Sequence, residues 1–361
     1  MQKLPIRIKE HLREIPFFVG RDLWAALAAY LQTDFPAHSL FVIADSTVAA
    51  LYGETAAGAL RPHGGFRDIL TFPAGEQYKS RARKEQLEDL LLLGKAGRDS
   101  VIVALGGGVT GDLAGYLAAT LHRGVPLVHL PTSLMAQVDS SIGGKVGVNH
   151  PAGKNLIGAF YQPRAVFCDT AFLKTLPEEE FFNGMAEVIK YAVILDDELW
   201  RRLDSESAPI LRREPGLLEQ IVLRCAALKI KVVEADEKES GYRSILNFGH
   251  TAGHAIEHLS EYRIKHGFAV AEGMRIAARL SHQLLGYPRE RVEDLDKLLE
   301  LYCLKGVGRE QFSAEEIWNC ICSDKKARRQ APRFTLLRSP HHPELFYPVE
   351  KQELSHALAA S

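Results

Sequence analysis

The chain has 361 residues, more than the roughly 250–300 at which a single hydrophobic core stops growing, so its length predicts two domains. Its 44 Lys and Arg against 45 Asp and Glu give a formal charge of −1, with 46% hydrophobic and 25% charged residues. That balance argues against a polyanion-binding surface, and so against nucleic acid as a partner; it equally argues against a disordered chain or a coiled coil. The longest apolar runs, such as Leu40–Ala44 and Val101–Leu105, fall far short of the roughly 18 residues needed to cross a bilayer. The opening stretch MQKLPIRIKEHLREIPFF interrupts its apolar residues with charges, so no signal peptide, membrane span or membrane partner is expected. Cysteines at 168, 225, 303, 320 and 322 are odd in number and lack C-x-x-C spacing, which predicts free thiols in a reducing cytoplasm.

In chain order, short β-rich runs alternate with helical patterns. Phe17–Gly20, Leu40–Ala44, Ile69–Phe72, Val101–Leu105, Leu127–Leu130 and Ala165–Cys168 each read as a buried strand. Between them Asp22–Leu31, Arg81–Leu93 and Leu113–Leu121 carry helical patterns. This alternation predicts an α/β domain, Rossmann-like in its strand–helix pattern, with a mostly parallel sheet. From about Pro177 the strand runs vanish, and Glu178–Leu195, Leu217–Glu234, His250–Leu259, Ala269–Leu285 and Arg291–Leu301 read as helices. The second half is therefore expected to be all-α. The boundary falls in Thr170–Pro177, giving an α/β domain over 1–175 and a helical domain over 176–361. Pro177 suits a first helical position ahead of Glu178, Glu179 and Glu180 at the positive end of the helix dipole.

Three clusters carry candidate chemistry. The first is strand Val101–Leu105 followed by Gly106-Gly107-Gly108-Val109-Thr110-Gly111-Asp112 and a helix. Glycines at such a turn let backbone N–H groups approach a phosphate at a helix N-terminus. The acidic residue expected some 20 positions downstream is missing, and the better ribose candidate is Asp45, at the end of an earlier strand. A tight turn and a helix N-cap are the alternative readings. The second cluster, SSIGGKVGVNHPAGKN over 140–155, reads as a glycine-rich loop whose Lys145, Lys154, Asn155 and His150 suit an oxyanion or a polyhydroxylated substrate. The third is NFGHTAGHAIEHL, in which His250, His254 and His258 recur every four residues on one helical face, followed by His266. Imidazoles at i and i+4 can converge on one ion, and a loop histidine with a remote carboxylate can equally complete a tetrahedral set. Glu187 is the candidate carboxylate, since it lies amid small and apolar residues where an unpaired charge is costly. Together these clusters predict hydroxyl oxidation with a metal polarising the oxygen.

At these same residues the chain resembles the 3-dehydroquinate synthase family of sugar-phosphate cyclases. The resemblance runs nearly end to end, through PAGEQYKS (73–80), GGGVTGDLAGY (106–116), RGVPLVHLPTSLMAQVDSSIGGKVGVNHPAGKNLIGAFYQP (123–163), TLPEEEFFNGMAEVIKY (175–191), LKIKVVEADEKESGYRSILNFGHTAGHAIE (228–257) and HGFAVAEGM (266–274). It implies an NAD-binding α/β domain, a helical metal-binding domain and an active site between them. It also implies the family's reaction, in which 3-deoxy-D-arabino-heptulosonate 7-phosphate becomes 3-dehydroquinate and phosphate by transient oxidation, elimination, re-reduction and aldol closure. By the resemblance Glu187, His250 and His266 hold a divalent metal, zinc with cobalt as the alternative, and His254 becomes a substrate-side residue. NAD contacts are implied for Asp45, Glu76, Lys79, Gly107, Gly108, Asp112, Thr132, Ser133, Lys154 and Thr175. Substrate contacts are implied for Asp139, Lys145, Asn155, Lys190, Lys229, Arg243, Asn247, His254 and Lys325, and Arg123 is expected to reach a neighbouring subunit, hence a homodimer. Phe268 stands where many members carry Glu and, unable to accept a hydrogen bond, gives His266 no acceptor there; Val146 stands where Thr is usual.

Overall fold

The computed structural model describes residues 14–306, 311–323 and 331–359. The first half is β1 (Phe17–Gly20), α1 (Trp24–Asp34), β2 (Ser39–Asp45), α2 (Ser46–Leu60), β3 (Phe66–Phe72), α3 (Arg81–Leu93), β4 (Ser100–Gly106), α4 (Gly108–Thr120), β5 (Leu127–Pro131), β6 (Lys145–His150), β7 (Gly153–Phe160) and β8 (Ala165–Asp169). Six of these strands form one sheet in the order β1-β8-β5-β4-β2-β3, and every neighbouring pair is parallel. Every residue of β4 is buried, because helices cover both faces of the sheet, and this is why its sequence reads SVIVALG without polar alternation. One face packs against Leu87, Leu91, Leu113 and Leu117, the other against Leu27, Leu31, Ala56 and Leu60. The chain direction reverses beside β4: β3 lies on one side, beyond β2, and β5 on the other. The crevice at the carboxyl ends of β2 and β4 is therefore the topological switch point, where open α/β sheets place their ligands.

The second half comprises α5 (Glu178–Leu195), α6 (Asp197–Ser205), α7 (Ser207–Leu211), α8 (Pro215–Ala235), α9 (His250–Leu259), α10 (His266–Leu285), α11 (Arg289–Leu301), α12 (Ala314–Ser323), β9 (Arg333–Ser339), β10 (His342–Pro348) and α13 (Lys351–Ala359). Most of α5 is buried, Gly184 through Ile194 without interruption, so it runs through the middle of this half as its central helix. Pro177 sits one residue before the first helical position, at the N-cap.

Two expectations about strands fail, and α10 starts at His266 where the sequence pattern has Ala269. The half expected to be all-α contains the antiparallel hairpin β9–β10, whose Phe334, Leu336 and Leu337 are buried in the helical core. The stretch expected to be a glycine-rich loop is the antiparallel hairpin β6–β7, with Lys145 opposite Phe160 and Val148 opposite Ile157. Gly147 and Gly158 face each other there, and a Cβ on Gly158 would lie 2.1 Å from the Val146 carbonyl, so the glycines serve close strand pairing. None of the described helices is long and apolar enough to cross a membrane, and all five cysteines are free.

Candidate active site

The sheet side of the site is built from turns. Gly107 is the N-cap of α4 and Gly108 its first residue, so unpaired N–H groups of this helix face the switch-point crevice. A Cβ on Gly106 would lie 2.4 Å from Thr110 Oγ1, and this crowding requires glycine whether or not a ligand is present. Thr132, just past β5, donates its N–H to Gly106 O at 3.0 Å, and Ser133 lies beside Gly107. Asp45 is the N-cap of α2: its Oδ1 accepts from the N–H groups of Thr47 and Val48 at 3.0 and 3.1 Å, while Thr110 Oγ1 donates to Oδ2 at 3.3 Å. The capping alternative is thus what the structure contains, and it leaves Oδ2 directed at the glycine turn. Thr175 pairs with the Tyr52 hydroxyl.

A chain of polar contacts crosses from this turn toward the helical half. Asp112 of α4 pairs with Lys79, whose ammonium also donates to Asn155 Oδ1 at 2.5 Å. Asn155 has φ of +56°, held by its own N–H donating to Asn149 Oδ1 at 3.0 Å. Asn149 in turn donates to Glu76 Oε1 at 2.7 Å, and Lys154 stands 3.9 Å from that oxygen while pairing with Glu257 of α9.

On the helical side, Glu187 of α5 meets the histidines at the starts of α9 and α10. Glu187 Oε1 lies 3.5 Å from His250 Nε2 and 3.6 Å from His266 Nε2. Oxygen and nitrogen ligands about 2.1 Å from a tetrahedral zinc stand roughly 3.4 Å from one another, so these separations match a shared ion better than direct hydrogen bonds. The carboxylate is 1% exposed, and although Lys190 pairs with it, no group among the described residues gives either oxygen a well-aligned hydrogen bond. Burial alone would push the Glu187 carboxyl up, but Lys190 and the two imidazoles hold it well below the usual range. His250 Nδ1 lies 3.2 Å from Phe248 O, which turns Nε2 toward Glu187. Burial opposes charge on His266, yet the Glu187 and Glu257 carboxylates outweigh it and push its pKa up to about 9. Of the residues expected at i+4 spacing, exposed His254 lies 5.2 Å ring to ring from His250 and belongs to a second grouping with Glu257 and His266; His258 is exposed, near the Tyr262 hydroxyl.

The backbones of α9 and α10 touch: a Cβ on Gly273 would lie 1.8 Å from Gly249 O. That approach is what brings His250 and His266 to one carboxylate.

Between the two sides lies a cleft of 520 Å³ walled by β6–β7 and floored by Asp139, Lys229 and Arg243. Lys229 Nζ is 2.8 Å from Asp139 Oδ1 and 2.6 Å from Asp139 O, and the Tyr191 hydroxyl donates to the same carboxylate at 2.5 Å. Arg243, 3% exposed, donates to Glu237 O and Gly143 O, and Glu239 holds both Lys145 and, at 3.1 Å, Asn247 Nδ2. Partial burial and the neighbouring cations Arg243 and Lys229 push Lys145 down to about 8. Arg123 is exposed, with φ of +70°, and does not line this cleft; Lys325 lies outside the described residues. Glu257, Glu239, Asn149 and Tyr191 are the site groups that sequence reasoning missed. Glu257 alone left a trace, as an acid three residues after His254 inside the histidine run.

The family pattern described as 3-dehydroquinate synthase N-terminal matches residues 69–183, and that described as 3-dehydroquinate synthase C-terminal matches 184–327. A 3-dehydroquinate synthase of Geobacter metallireducens is 48% identical over 296 residues, 82% of each chain. Among solved structures, 2-deoxy-scyllo-inosose synthase complexed with carbaglucose-6-phosphate, NAD+ and Co2+ superposes with a TM-score of 0.86 at 29% identity over 95% of each chain. A 2-epi-5-epi-valiolone synthase from Streptomyces hygroscopicus, with NAD+ and Zn2+ bound, gives 0.90 at 25% identity over 99% of this chain and 98% of that one. The chain belongs to the 3-dehydroquinate synthase family.

Proposed function

We propose that this chain is a phosphate-eliminating lyase that converts 3-deoxy-D-arabino-heptulosonate 7-phosphate to 3-dehydroquinate and phosphate, a step of the shikimate pathway, using NAD and a divalent metal. The observation that carries the reading is one buried carboxylate and two imidazoles at metal-ligand separation together with a cation-rich cleft that Asp112, on the helix after the glycine turn, also lines. The curated relatives bearing the same activity in their names support it.

When bound, the metal polarises a substrate hydroxyl and NAD+ takes up and returns a hydride. In this reading Glu187, His250 and His266 hold the metal. The turn at Gly107 and Gly108, with Asp45, Asp112, Thr132, Ser133 and Thr175, binds and orients the cofactor, while Glu76, Lys79 and Lys154 close over it. Lys145, Lys229 and Arg243 bind the substrate's carboxylate and phosphate, with Asn155, Asn247 and His254 orienting its hydroxyls. Asp139 keeps Lys229 in place, and Lys190 offsets the negative charge of Glu187. Charge-assisted contacts of about 1.5–3 kcal/mol each hold a doubly anionic substrate in one pose.

The division at 175 and 176 is part of the proposal, supported by β8 ending at Asp169 and α5 starting at Glu178. So are a homodimer, supported by Arg123 being exposed and outside its own cleft, a role for Lys325 against substrate, and a cytoplasmic location, supported by the free thiols. The test is to give purified protein the heptulosonate phosphate and follow phosphate and NADH absorbance together. Phosphate release that requires NAD+ without NADH accumulation is expected. Stoichiometric NADH from an unphosphorylated polyol, with no phosphate released, would make the chain a polyol dehydrogenase instead.

A further inference from the structure

We propose that Glu257 is a positioning residue that orients His266 toward the metal and anchors Lys154 at the same time, so that one buried carboxylate sets a group on the helical side and one on the sheet side. The inference rests on the metal reading given above. Glu257 is 3% exposed on α9; its Oε2 lies 3.3 Å from His266 Nδ1, and its Oε1 pairs with Lys154. Lys154 reaches back to the sheet side, 3.9 Å from Glu76 Oε1, with its ammonium 4.5 Å from the Tyr262 ring centre.

An imidazole that gives one nitrogen to a metal needs an acceptor for the N–H on the other, which fixes both its tautomer and its ring plane. His266 Nε2 faces Glu187, so Nδ1 carries the proton and Glu257 is its acceptor. Phe268, two residues on, cannot accept a hydrogen bond and packs against the helical core. The same atoms invite a rival reading as a second metal site, since His254, Glu257 and His266 bring ligand atoms within 4.8 Å of one another. Two facts favour the positioning role. An ion there would face the Lys154 ammonium already on Glu257, and it would take His266 Nδ1 while Nε2 serves the first site.

The test uses the full chain, stripped of metal and titrated with Zn2+ against a competing chelator, as wild type, Glu257→Gln and Glu257→Ala. One zinc per chain is expected in the wild type. Glu257→Ala should bind it about 10–100-fold more weakly, and Glu257→Gln should recover most of the affinity because its amide oxygen still accepts the Nδ1 proton. NAD+ affinity should fall in Glu257→Ala together with the metal, which a local packing role would not produce. Wild-type zinc affinity in folded Glu257→Ala, or Glu257→Gln as weak as Glu257→Ala, would overturn the inference while leaving the metal site standing. A wild-type chain that binds no zinc would overturn both, and two zinc ions per chain would make Glu257 a ligand. If Glu257→Ala does not fold, nitrogen NMR of His266 in the zinc-loaded wild type decides: a protonated Nδ1 is expected, and a metal-bound Nδ1 refutes.

Discussion

On the sheet side of the cleft the charged and amide side chains already have partners: Asp45 caps α2, Asp112 holds Lys79, and Asn149 bridges Glu76 to the backbone of Asn155. On the helical side Glu187 and Lys190 are 1% and 2% exposed in the middle of α5, and neither Glu187 oxygen receives a well-aligned hydrogen bond from the described residues. Both sides are rich in charge, yet of the site's carboxylates among the described residues it is Glu187, on the second side, whose two buried oxygens lack a well-aligned hydrogen bond. A site whose groups are satisfied internally can be stable empty and bind its ligand reversibly, whereas a buried, under-bonded carboxylate between two imidazoles gains stability from a cation.

The comparison makes graded predictions. The largest effect belongs to Glu187→Ala, which should abolish metal binding and lower turnover by about 10³-fold or more. It should also cost about 3–5 kcal/mol of stability by leaving the Lys190 ammonium buried without its partner. Metal content and denaturant unfolding check this, and an intact metal site in that variant would break the comparison. Next, zinc at about 1,000 times its dissociation constant should stabilise the wild type by about 4 kcal/mol, and this gain should vanish in Glu187→Ala. A scan of the melting temperature against zinc concentration measures it.

Arg243→Ala should lower kcat/KM for the phosphorylated substrate about 10- to 100-fold, the size of one lost charge-assisted contact of about 1.5–3 kcal/mol. Gly143→Ala should do similar damage through the same guanidinium, since its φ is +100° and a Cβ there would lie 2.3 Å from Arg243 Nη2. Unchanged kinetics in both, with folding intact, would remove the anion-binding role. Lys145 gives a smaller and pH-dependent effect. Its ammonium is charged below about 8 and neutral above, so affinity for an anionic substrate is retained at lower pH and lost as pH rises through that value, by up to about tenfold per unit. In Lys145→Met this step in the KM profile should disappear, whereas its persistence would assign it to another group. The smallest effect is expected for Asp45→Ala, about 1 kcal/mol from the lost cap of α2, with a modest rise in the KM for NAD+. A larger stability loss than that would show that the sheet side is not self-sufficient.

How much could be read beforehand varied with where the information resides. The sheet strands were legible because burial on both faces turns each into an unbroken apolar run, as in β4. Arg81–Leu93 was legible from helical spacing alone, and the structure adds the Ser80 cap, whose side chain accepts from Arg83 N. Hairpin β6–β7 was not, because its glycines and its exposed Leu156 and Phe160 imitate a loop, and β9–β10 was hidden because its partner strand rather than its own periodicity makes it a sheet. The start of α10 at His266 was also read too late, which matters because it turns a supposed loop histidine into a helix-borne ligand.

By itself the sequence determined which groups were present and which local shapes they could take: the glycine turn after a buried strand, the histidine run, an acid among apolar neighbours on one helix. Local backbone sterics and hydrophobic period act within a few residues, so a single chain segment carries them. Tertiary structure alone decided which of those groups meet. It chose His266 over His254 to share Glu187 with His250, because α9 and α10 approach through Gly249 and Gly273, and it placed Glu257 against His266 across that same contact. Such pairings depend on the packing of helices distant in sequence, whose geometry is set by close-packed side chains on every side and is written in no one of them.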